Sequence, residues 1–128
     1  MDKVVHFEIP VDDLSRAKGF YSSVFGWQIQ TMEMEGGVPY TTLTTTPIDD
    51  KQMPTEPGAI NGGMMRRTAE TPSPVITVGV GSVDLALKEV EANGGSIVTS
   101  RTEVPGMGAF GYAKDTEGNI IGVWETFV

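Results

Sequence analysis

Apolar and polar residues alternate at the start of the chain, with Val5, Phe7 and Ile9 on one face and His6 and Glu8 on the other. This is the period of a half-buried strand, and it puts His6 and Glu8 on one surface. The period then changes. Leu14, Ala17, Phe20, Tyr21, Val24 and Phe25 follow helical spacing behind Asp12 and Asp13, either of which can cap a helix, and Gly26 stops it. This helix is expected to pack by its aromatic side. Short strands are predicted near Gln28 to Met34, Tyr40 to Thr46 and Ala59 to Arg66, with Gly36-Gly37 making the first turn. Residues 47–58 hold Pro, Asp, Lys and Gly with little periodicity and read as a long loop able to act as a lid.

The pattern then repeats. Val4 to Leu14 is echoed by Val75 to Leu85, with His6 opposite Thr77 and Asp13 opposite Asp84 at the same offset. Later, Thr55-Glu56-Pro57-Gly58-Ala59-Ile60-Asn61-Gly62 matches Thr116-Glu117-Gly118-Asn119-Ile120-Ile121-Gly122. The second helix is placed at about Asp84 to Asn93, with Val83, Ala86, Leu87 and Val90 as its buried stripe and Gly94-Gly95 at its end. Strands near Ser96 to Ser100, Phe110 to Lys114 and Asn119 to Thr126 follow, the last two joined by a turn at Asp115-Thr116-Glu117-Gly118. The reading is α+β: two tandem βαβββ modules, about 3–67 and 75–128, joined by a Pro- and Ser-bearing linker at about 68–74. Two such modules can set their sheets side by side around a U-shaped trough, and function is sought in residues facing it.

Composition narrows the chemistry. At 128 residues and 39% hydrophobic content the chain has the size and core of a single domain. No apolar run approaches the roughly 20 residues a membrane span needs, and Met1-Asp2-Lys3 leads straight into a strand, so a cytoplasmic protein is expected. The absence of cysteine removes disulfides, thiolate metal ligands and a cysteine nucleophile. A net charge of −8 spread along the chain opposes nucleic acid binding. The one basic doublet, Arg66-Arg67, reads as a solvated strand end. There is no Gly-x-Ser-x-Gly elbow and no phosphate-binding loop.

Two segments, VVHFEIPVDDLSRAKGFYSSVFGW at the start and GAFGYAKDTEGNIIGVWE at the end, together resemble the vicinal oxygen chelate superfamily, which includes glyoxalase I, bleomycin-resistance proteins and extradiol dioxygenases. The resemblance implies paired βαβββ modules, a concave sheet as the site and, in catalytic members, a divalent metal binding vicinal oxygens of the substrate. It also implies one metal ligand from the first strand and one from the last strand of each module. His6 stands at the first of these positions, Thr77 at its equivalent, and Gly62 and Gly122 are read at the other two. Glycine has no side chain to donate, and a threonine hydroxyl is a poor ligand beside imidazole or carboxylate.

No cofactor is therefore favoured; a divalent metal, if held, would use His6 and Glu8. Strand alternation places Asn61 and Glu125 on the face opposite Gly62 and Gly122. Met64 and Trp124, two residues beyond Gly62 and Gly122, are expected to line the trough with His6, Glu8 and Thr77, and Tyr40 and Tyr112 are further candidates. The leading reading is a metal-independent binder of a small organic molecule, with a homodimer implied by the resemblance. The alternative is a metal-dependent lyase, isomerase or dioxygenase in which His6 is catalytic, since this sole histidine has an unperturbed pKa near neutrality.

Overall fold

The computed structural model describes residues 1–33 and 39–127. The order of elements is β1 (Lys3–Val11), α1 (Leu14–Phe25), β2 (Gln28–Glu33), β3 (Pro39–Thr44), β4 (Asn61–Arg66), β5 (Val75–Gly79), α2 (Val83–Ala92), β6 (Ser96–Val104), β7 (Gly108–Lys114) and β8 (Ile120–Thr126). This is βαβββ twice, an α+β fold with eight strands and two helices among the described residues. The expected turn at Gly36-Gly37 and the end of β2 at Met34 lie outside the described residues. Strand β6 continues to Val104, past the expected Ser100, through register shifts between Ile97 and Thr102. Neither described helix is long and apolar enough to cross a membrane.

The chain forms two compact units, His6–Pro74 and Val75–Val128, the latter joined by Met1–Val5. In the first unit the strand order is β2-β3-β4-β1, with β4 parallel to β1 and the other pairs antiparallel. Helix α1 is capped by the Asp13 carboxylate, which accepts from the Arg16 amide at 2.9 Å. It ends at Gly26 in the left-handed region, φ 73°, which glycine adopts without strain.

Its packing differs from expectation. Ala17 and Tyr21 are half-buried against a core of Val11, Ile29, Leu43 and Met64, whereas Phe20, Val24 and Phe25 remain more than half exposed. The reason lies in Trp27, just past the helix, which stacks on Tyr21 at 5.1 Å and 5° and with it fills the space beside the sheet.

In the second unit the order is β5-β8-β7-β6, with β5 parallel to β8. Helix α2 is capped by Ser82 and buries Val83 and Leu87 against Ala109, Ala113 and Val123, with Ala86 and Val90 partly buried beside them. Gly111 admits this contact, since a Cβ there would lie 3.1 Å from Leu87 Cδ1. The turn at Asp115–Gly118 is held by the Asp115 carboxylate, which accepts from the Glu117 and Asn119 amides, and Gly118 takes φ 86°.

Residues 47–58 have a defined local structure. A bridge joins Ile48 to Pro54, and the Asp49 carboxylate accepts from the Lys51 and Met53 amides. Arg67, expected at a solvated strand end, reaches across to Asp12 at 3.0 Å and to the carbonyls of Pro10 and Pro72, fastening the end of the module to the segment that leaves it.

Candidate functional site

Cross-strand register decides which side chains meet, because partners in register share a face. In the first unit His6 is paired with Asn61 and Glu8 with Gly63, and Gly63 is paired in turn with Thr42 on β3. His6, Glu8, Asn61, Gly63 and Tyr40 therefore share the face turned away from α1. Phe7, Gly62, Met64 and Leu43 lie on the other, packed toward the helix.

This overturns two sequence-based expectations. Met64 belongs to the core at 4% exposure and does not share a face with His6. Asn61, expected on the opposite face, stands in register with His6, while Gly62 turns inward, where a Cβ would meet the Phe7 carbonyl at 2.5 Å. The cause is one residue: the Asn61 segment is a residue longer than its repeat, so the true counterpart of Gly122 is Asn61, and a slip of one reverses every face.

Around His6 the geometry is tight. Tyr40 Oη lies 3.1 Å from His6 Nε2, both half-buried. Burial holds the His6 imidazole below its ordinary pKa, and burial together with the nearby Glu8 charge pushes the Tyr40 phenol well above its own. At neutral pH the pair is thus a neutral imidazole and a protonated phenol. The Asn61 oxygen is engaged elsewhere: Oδ1 accepts from the Thr45 and Thr46 amides at 2.8 and 3.2 Å and fixes the chain as it leaves β3.

In the second unit Thr77 is in register with Gly122, and Gly122 with Tyr112; Trp124 is paired with Phe110. These residues occupy the face away from α2, so Thr77, Tyr112 and Trp124 share a surface as expected. Thr77 Oγ1 is buried and has no hydrogen-bond partner among the described residues, and it sits where a Cβ on Gly122 would be 2.8 Å away. Trp124, half-buried, donates its indole N–H to Thr126 Oγ1 at 2.9 Å. Glu125 turns toward the helix, as alternation predicts, accepting from the Val83 amide at 3.0 Å, and this bond, with Arg101, keeps its carboxyl below the usual range. Two surface concavities of about 330 and 360 Å³ beside α1 involve neither His6, Glu8 nor Tyr40.

Residues 3–44 match the family described as bleomycin resistance protein-like N-terminal. A glyoxylase-like domain-containing protein of Didymella fabae is 30% identical over 117 residues, spanning 88% of this chain and 84% of the relative. The chain is a glyoxalase-like member of the vicinal oxygen chelate superfamily.

Solved structures support the fold of this glyoxalase-like protein. A hypothetical protein of Bacillus halodurans aligns with TM-score 0.67 at 17% identity, covering 99% of this chain and 96% of that one. A methylmalonyl-CoA epimerase variant from Streptomyces coelicolor, in complex with 2-nitronate-propionyl-CoA, aligns with TM-score 0.66 at 17% identity, covering 98% of each chain. The epimerase of Mycobacterium tuberculosis gives 0.65 at 16%, covering 98% and 88%.

The family's metal positions can now be tested against the residues present. With the register corrected they hold His6, Asn61, Thr77 and Gly122. One has no side chain, one offers a buried hydroxyl, and the Asn61 oxygen is already shared by two amides. His6 Nε2 faces the Tyr40 hydroxyl. No group of three or more His, Asp or Glu side chains able to hold a metal occurs among the described residues. This donor set does not fit a divalent cation.

Proposed function

We propose that this glyoxalase-like protein is a metal-independent binder of a small organic molecule, received on a sheet face turned away from a helix. The observation that carries the reading is the fate of the four family positions: glycine, a buried threonine, an asparagine locked by backbone amides, and a histidine paired with tyrosine. His6, Tyr40 and Glu8 in the first unit and Thr77, Tyr112 and Trp124 in the second are the residues assigned to ligand contact.

The chemistry of each face supports a ligand class. In the first unit Glu8 and Tyr40 share the face of His6, so hydrogen-bonding groups line it and a carboxylate ligand would lie beside the Glu8 carboxylate. In the second unit Phe110, Tyr112 and Trp124 are neighbours, with Phe110 and Tyr112 rings 5.7 Å apart edge to face, which suits a planar apolar group. The first-unit face therefore suits an uncharged hydrogen-bonding group, and the second-unit face suits a planar apolar one. Cytoplasmic location and a homodimer, both expected from sequence, complete the reading; light scattering tests the second.

The test is a thermal-shift screen of uncharged aromatic carbonyl and phenol compounds against their carboxylate analogues, run with and without EDTA. A ligand at one hundred times its Kd raises stability by about 2.7 kcal/mol, a shift of several degrees. Uncharged hits unaffected by EDTA and weakened by Trp124→Ala support the reading. Hits restricted to EDTA-free samples, with added Mn2+ or Zn2+ switching on turnover that His6→Ala abolishes, would establish the metal-dependent alternative.

A further inference from the structure

Gly63 stands in register with Glu8 and lies on the His6 face. It is buried, and a Cβ built on it would come within 2.5 Å of the Tyr40 hydroxyl oxygen and 3.0 Å of Cζ. No real Cβ tolerates such an approach. The contact is to the hydroxyl end of the Tyr40 ring, so a side chain at position 63 would displace the phenol from its place beside His6. The absence of a side chain at position 63 is what allows the phenol to lie across β4 and reach Nε2 of His6, 34 residues away in sequence.

We propose that Tyr40 is the positioning residue that sets the chemistry of His6: seated in the space left by Gly63, its hydroxyl donates to Nε2 and commits the imidazole to one tautomer. A phenol is a better donor than a neutral imidazole, and an imidazole nitrogen a better acceptor than a phenol oxygen. The bond therefore runs from Tyr40 to His6, and the ring proton resides on Nδ1. The nitrogen at Nε2 is thereby withdrawn both from metal ligation and from proton abstraction. The histidine remains as a fixed hydrogen-bonding group. Burial, which keeps the phenol protonated, acts in the same direction. This inference rests on the metal-independent reading and extends it to the side chain that enforces it.

His6 is the chain's sole histidine, so its ring is observed without ambiguity in 15N-labelled protein. Long-range 1H–15N correlation at pH 8 is expected to show the Nδ1–H tautomer, with Nε2 carrying the acceptor-type shift. Tyr40→Phe removes the donor and Gly63→Ala displaces it; each is expected to move the pattern toward Nε2–H while the amide spectrum stays dispersed. A wild-type ring in the Nε2–H form, or a pattern unchanged in both variants, would overturn the assignment. The wild-type spectrum decides alone if a variant does not fold. Titration of the wild-type protein with Ni2+ separates the two readings: selective broadening of the His6 signals at micromolar metal would overturn metal independence whatever the tautomer shows.

Discussion

At the scale of the residue, His6 shows how burial and one partner convert a reactive group into a fixed one. Its folded-state pKa lies below the ordinary 6.5, because desolvation disfavours the imidazolium. The unfolded chain then binds the proton first, so stability is fully present above pH 6.5 and is lost as pH falls through that value toward the lowered folded pKa. The wild-type protein should thus lose thermal stability between pH 7 and pH 5, and His6→Gln should flatten that part of the profile; an identical slope in the variant would assign the loss to other groups. Asn61 illustrates a different device, a side-chain oxygen that holds backbone amides. Asn61→Ala leaves the Thr45 and Thr46 amides without their acceptor and should cost about 1–3 kcal/mol in urea unfolding, with Asn61→Asp retaining most of it.

At the scale of the element, most of the order was legible in the sequence because period and punctuation agreed. The alternation of Val5, Phe7 and Ile9, the cap at Asp13, the stop at Gly26 and the turn ending at Gly118 all recur in the structure. Register was not legible. A repeat segment longer by one residue can be aligned on Gly62 or on Asn61, and only the parallel pairing of β1 with β4 shows that Asn61 faces with His6. The Tyr40–His6 pair was hidden for the same reason, since its gap at Gly63 is a property of three strands in register. Nor could helical spacing show that Phe20 and Phe25 stay exposed once Trp27 stacks on Tyr21. Two alanine substitutions check the placement. Gly19→Ala, in α1 with nothing within 4 Å of its new Cβ, should stabilise by about 0.5–1 kcal/mol, whereas Gly62→Ala, driven against the Phe7 carbonyl, should destabilise and lower the denaturation midpoint. Equal effects at the two sites would contradict the assigned faces.

At the scale of the whole molecule, the protein keeps the paired-module plan of its superfamily and departs from it at the ligand positions. The departure is distributed over both units: Asn61 and His6 are engaged within the first, and Thr77 and Gly122 are in register within the second. The most direct test is metal per chain, measured by elemental analysis of tag-free protein after incubation with excess Zn2+, Mn2+ and Ni2+ and removal of unbound ions. A ratio near zero is expected for every ion, with unfolding temperature unchanged by EDTA; a ratio near one for any of them, accompanied by a loss of thermal stability on chelation, would contradict metal independence.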